Sequence, residues 1–126
     1  MSFADAAIRH RDDARHLASS KRFQNAGHLI GFAAECLVKA ELQKAGITVD
    51  KDLRKHFPIL TQRIGLHATG RLAAAIWEVI QAPKFLDRWQ ADRRYDATLD
   101  PHAAETEYRT WEADVSNLFR QAWGVR

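Results

Sequence analysis

Apolar residues recur at helical spacing along most of the chain and never alternate over a strand-length window. The pattern is strongest from about Arg22 to Ala45. Ala26, Ile30, Ala33, Leu37 and Glu41 follow one helical row, and Leu29, Phe32, Cys36 and Val38 widen the apolar surface on either side. A helix apolar over most of its circumference belongs at the centre of a bundle. Gly46 ends it as a left-handed cap would. The first helix, Phe3 to Ser19, has a thin stripe (Phe3, Ala7, Ala14, Leu17, Ala18) that predicts an outer position. A loop follows from Ile47 to Lys55. Pro58 then opens a short helix with Phe57, Leu60 and Ile64 on its face, interrupted by Gly65 and Gly70.

The third long helix is predicted from Arg71 to Gln81, with Leu72, Ala75, Ile76 and Val79 inward and Pro83 as its stop. Phe85, Leu86 and Trp89 suggest one helical turn, and Gln90 to Leu99 reads as a charged loop. Asp100-Pro101 is a helix start, with the aspartate as cap and the proline where no N–H is needed. The last helix runs to about Trp123 and turns Tyr108, Trp111, Val115, Leu118, Phe119 and Ala122 to one side. The expected architecture is all-α: an antiparallel helical bundle of four to five helices, forming a single domain over residues 1–126.

Composition adds limits. A chain of 126 residues that is 46% hydrophobic can bury a core without disulfides or metals. Cys36 is the one cysteine, so no disulfide framework exists, and a reducing cytoplasm suits it. The first residues lack an apolar signal core. The longest apolar run, Leu29 to Val38, is too short to span a bilayer, so no membrane association is expected. The net charge of +3 permits nucleic-acid binding without requiring it. Its placement is uneven. Lys51, Arg54, Lys55, Arg63 and Arg71 form one basic stretch, Lys84, Arg88, Arg93 and Arg94 another, and the C-terminal segment is acidic.

Three constellations could carry chemistry. Glu35 and Lys39, four residues apart inside the most apolar helix, form either a helix-stabilising pair or a charged patch facing a cleft or partner. His56, before Phe57-Pro58, would cap the short helix or contact the Glu35–Lys39 patch. Trp89, Arg93, Arg94 and Tyr95 make either a phosphate-and-base surface or a loop whose aromatics anchor it while the arginines pair with Asp92 or Asp96. No glycine-rich phosphate loop, zinc spacing or nucleophile elbow occurs, so no cofactor or metal is expected.

Together these residues resemble the HEPN family (higher eukaryotes and prokaryotes nucleotide-binding). Three pieces carry the likeness: the A-E-x-x-x-K-A element from Ala34 to Ala40, the histidine-led turn Lys55-His56-Phe57-Pro58-Ile59-Leu60, and Trp89 followed by Arg94-Tyr95. The resemblance implies a helical bundle, commonly a homodimer, that binds nucleotides or RNA. It also implies a setting in toxin–antitoxin or defence systems beside a nucleotidyltransferase-type partner. Active relatives are metal-independent ribonucleases that pair an arginine with a histidine four to six residues away at the start of the last long helix. The matching residues here are Arg94 and His102, which seven residues separate.

Three functions follow as expectations. One is a nucleotide- or RNA-binding module with Glu35, Lys39, His56, Trp89, Arg93 and Tyr95 as binding residues. Another is a metal-independent endoribonuclease using Arg94 and His102. The third is a non-catalytic interaction domain that buries Trp111 or Trp123 against a partner.

Overall fold

Ser2 caps the first helix, α1 (Phe3–Ser19), accepting the Asp5 amide on its hydroxyl at 3.1 Å. Asp5 itself sits in the first turn, where the helix dipole favours an acid. The exit is equally specific. Lys21 takes a left-handed backbone (φ 62°), its N–H reaches the Ala18 carbonyl, and the Arg22 N–H reaches that of Leu17, both at 2.9 Å. This is a Schellman closure with lysine where glycine is usual. It turns the chain into α2 (Phe23–Lys44) within Ser20, Lys21 and Arg22. Gly46, at φ 92°, closes the far end of α2 as expected.

The computed structural model describes residues 2–46, 56–57, 61, 70–95 and 97–125, excluding the side chains of Arg94 and Tyr95. Two further α-helices are described, α3 (Gly70–Ile80) and α4 (Pro101–Trp123), with a 3-10 helix, Ala91–Tyr95, before α4. Among the described residues there is no strand. The short helix expected around Leu60 and Ile64, and the basic residues Lys51, Arg54, Lys55 and Arg63, lie outside the described residues. No described helix is long and apolar enough to cross a membrane.

α2 is the axis of the core. Ala26, Ile30, Ala33, Ala34, Leu37 and Val38 are wholly buried along it, and α4 adds Val115, Leu118 and Phe119. α1 covers α2 with Ala7 and Ala14. Arg11 completes that stripe, its guanidinium lying 4.7 Å from the Phe119 ring centroid. Truncating Leu37 to alanine should cost roughly 2–5 kcal/mol.

Side-chain contacts fix the helix directions. Lys39 lies over Phe3 and His10 beside Phe32, so α1 and α2 are antiparallel. Arg15 reaches Glu112 and Ser116 while Arg11 covers Phe119, so α1 and α4 are antiparallel too. Near its start α2 meets Trp111 at Gly27, and near its end Glu41 accepts the Trp123 indole N–H at 2.6 Å. α2 and α4 are therefore parallel. α1 is thus antiparallel to both, and the chain that includes α3 returns to the starting end of α2 before α4 begins. Asp100 then caps α4 by accepting the His102 and Ala103 amides, both at 3.1 Å.

Three local expectations are corrected. On α3, Ile76 is buried and Ala75 and Val79 are partly buried as expected, whereas Leu72 is exposed and Ile80 takes its place on the buried face. The stretch from Gln81 to Arg88 is a run of turns, and Leu86 and Arg88 both have positive φ. Asp114 holds this stretch by accepting the Leu86 amide at 2.9 Å. Within the expected charged loop, Ala91–Tyr95 winds into the 3-10 helix.

Candidate functional site

α2 carries Glu35 into the interior, where its side chain is 1% exposed. A carboxylate there needs partners on both oxygens. One oxygen takes His56 Nδ1 at 2.8 Å and the other accepts the Phe57 backbone N–H at 2.8 Å. Burial pushes the Glu35 carboxyl above the ordinary glutamate range, while the His56 and Phe57 hydrogen bonds and the Lys39 charge pull it back. The helix-pairing role suggested for Glu35 and Lys39 thus gives way to a different arrangement. Glu35 fastens a distant segment, and Lys39, also buried, sets its ammonium 5.9 Å from the Phe3 ring centroid. His56 does meet the Glu35–Lys39 patch, and 47% of its side chain remains exposed.

Phe32 stands beside this clamp at the centre of a ring cluster. His10, His28, His56 and Trp89 surround it at centroid distances of 6.2, 4.9, 6.0 and 5.3 Å. Trp89 is 4% exposed and donates its indole N–H to the Gly27 carbonyl at 3.1 Å. Its ring occupies the space beside Gly31 that any Cβ there would enter. Trp89 therefore follows the anchoring reading, since so buried a ring offers no face for a base to stack on. Gly27 faces Trp111 in the same way, at 3.0 Å from an ideal Cβ. Neither glycine has a role in the sequence-based expectation. Their four-residue spacing on one helix face was the available signal.

The third constellation sits next to this anchor. Arg93 donates to Glu107 at 2.9 Å and lies 5.4 Å from the Trp111 ring centroid. This carboxylate partner comes from α4, and Asp96 lies outside the described residues. Gln24 ties down the following stretch, donating to the Ala97 carbonyl and accepting the Leu99 amide. Between these parts lies a cavity of about 40 Å³, lined by His28, Trp89, Arg93, Glu107 and Trp111 among others. That is room for little more than a water molecule. The side chains of Arg94 and Tyr95 lie outside the described residues, and with them the geometry of the Arg94–His102 pair. His102 is exposed on the first turn of α4.

The tryptophans named for a partner interface are engaged within the chain. Trp111 is buried and donates to the Asp87 carbonyl at 2.8 Å, and Trp123 is half-buried against Glu41. Trp77 on α3 is the exposed tryptophan among the described residues. No group of three or more histidine, cysteine or acidic residues suited to a metal ion occurs among the described residues.

The chain matches no family model, no curated protein and no solved structure.

Proposed function

We propose that the chain is a nucleotide- or RNA-binding helical module of the HEPN type, working with a separate protein in a toxin–antitoxin or defence setting. One observation carries the reading. The described residues of the three sequence pieces behind the HEPN resemblance lie along one helix. Glu35 and Lys39 belong to α2, His56 and Phe57 hydrogen-bond to Glu35, and Trp89 seats against Gly27 and Gly31. Binding is favoured over cleavage because seven residues separate Arg94 from His102, more than the four to six of active relatives.

The test is fluorescence anisotropy of labelled single-stranded RNA over a range of salt concentrations. The expected result is binding that weakens as salt rises, with a logarithmic slope of about −0.7 per phosphate contacted. Absence of binding at low salt overturns the proposal. Cleavage of the RNA in chelator, lost in His102→Ala, would replace it with the ribonuclease reading.

A second reading has its own observation. Leu72 and Trp77 expose apolar surface on α3, at 41% and 38%. Such a surface suits a protein contact, including self-association.

A further inference from the structure

Neither glycine nor proline marks the break between α1 and α2. The four residues there are Ser19, Ser20, Lys21 and Arg22, and lysine and arginine are good helix formers. α2 also starts without the chemistry that opens α1 and α4. Arg22 makes no side-chain cap, and no acid occupies the first turn. Lys21 holds φ at 62°, which is strained for a residue with a Cβ. Its N–H and that of Arg22 bond the carbonyls of Ala18 and Leu17. In a continuous helix the same two donors and two acceptors pair with partners exchanged.

The turn is therefore imposed by packing. Ala7 and Ala14 are wholly buried, Arg11 covers Phe119, and Arg15 reaches Glu112 and Ser116. These contacts need α1 to lie on α2 and α4, and they do not need it to come from the same chain. The register permits the exchange. Phe3 with Lys39 and His10 with Phe32 are contact pairs each centred on position 21. When two copies each join α1 and α2 into one helix and lie antiparallel about Lys21, each α1 meets the other copy's α2 in the same register.

We propose that the α1–α2 turn is a hinge, and that the seat for α1 on α2 and α4 also accepts α1 of a second copy, giving a dimer by exchange of that helix. Both copies lose the strained lysine when they exchange. Lys21 and Arg22 of the two copies then gather near the axis, so salt that screens them favours the dimer. This association differs from any contact through the exposed face of α3 and does not rest on the RNA-binding reading.

In the experiment the chain is unfolded in urea and refolded at high salt over a range of concentrations, and monomer and dimer are separated by size exclusion. The wild-type dimer fraction should grow with concentration. Lys21→Ala keeps the left-handed strain and suits a continuous helix, whereas Lys21→Gly removes the strain and weakens that helix. The dimer dissociation constant of the glycine variant should exceed that of the alanine variant by about a hundredfold or more, because each copy contributes both effects. Monomer at every concentration in wild type and Lys21→Ala, or equal dimerisation of the two variants, overturns the inference. Cross-linking identifies the exchanged helix. Arg15→Cys in one chain and Glu112→Cys in another, both with Cys36→Ser and distinguishable tags, are refolded together. A short bismaleimide should join the two chains, because the Arg15 and Glu112 side chains meet at 3.3 Å between α1 and α4. A dimer that yields no such link overturns the exchange and returns self-association to α3.

Discussion

The Trp89 indole lies where a side chain on Gly31 would have to be, and its N–H bonds the carbonyl of Gly27 one turn earlier on the same helix. Two glycines within α2 cost helix stability of about 1 kcal/mol each relative to alanine. What they provide is a flat strip on which the indoles of Trp89 and Trp111 rest, so that the segment after α3 and the whole of α4 close onto α2.

This sets an order for two substitutions. Gly31→Ala should destabilise by at least about 2 kcal/mol, because the Cβ meets buried ring atoms and the overpacking exceeds the propensity gained. Gly27→Ala meets Trp111 at 3.0 Å, a contact that a small shift relieves, so it should stay within about 1 kcal/mol of wild type. Urea unfolding followed by tryptophan fluorescence measures both. The reverse order would mean that Trp89 is not seated as described.

Glu35 gives the fold an unusual pH dependence. Burial raises its carboxyl pKa in the folded chain above the unfolded value. The folded state then takes up the proton more readily than the unfolded state. Its contribution to stability is fully present below the unfolded pKa and is lost as pH rises through the raised folded one. Asp114, whose carboxyl burial also raises, acts in the same direction. Lowering the pH from neutral toward the ordinary carboxylate range should therefore remove less stability than acid does from a protein with salt-bridged carboxylates. Comparison of urea midpoints for wild type and Glu35→Gln across this range isolates the Glu35 share. The wild-type midpoint should rise relative to that of the variant as pH falls. A relative fall would show that the His56 and Phe57 hydrogen bonds outweigh the burial.

The helices were legible in the sequence wherever a single period and a chemical stop coincided. Asp100 and Pro101 at one end of α4 and Gly46 beyond α2 act through local backbone chemistry, which a sequence displays directly. The row from Ala26 through Ile30, Ala33 and Leu37 to Glu41 is buried as its spacing demanded. What could not be read depends on residues far apart in the chain. Glu35 looked like the partner of Lys39 because local spacing favours that pair, yet two donors more than twenty residues away take its oxygens. Arg93 looked like a partner for its loop neighbours, yet α4 supplies Glu107. The segment from Gln81 to Arg88 depends on left-handed residues that are not glycine, which leave no compositional mark.

Lys21 is another such residue. It occupies the left-handed position of the Schellman turn between α1 and α2, where a Cβ is strained. Lys21→Gly should remove that strain and stabilise the fold by up to about 1 kcal/mol, the gain being reduced by the extra freedom glycine has when unfolded. Thermal unfolding measures it. An unchanged or lowered midpoint would mean that the lysine side chain itself contributes at the turn.

The exposed pair on α3 separates folding from association. Leu72 and Trp77 lie outside the chain's own core, whereas Ile76 and Ile80 on the same helix are buried in it. Leu72→Gln together with Trp77→Gln should cost less than about 2 kcal/mol, because both side chains already lie about two-fifths in water and the glutamine stems keep part of the cover. Ile76→Ala should cost roughly 2–5 kcal/mol by opening a cavity. Sedimentation velocity of wild type over a concentration series then tests the surface directly. If α3 mediates self-association, the wild-type sedimentation coefficient should rise with concentration and that of the double variant should not. If both remain monomeric at every concentration, the exposed face belongs to a different partner or to none, and the self-association reading is lost while the stability contrast between Trp77 and Ile76 still holds.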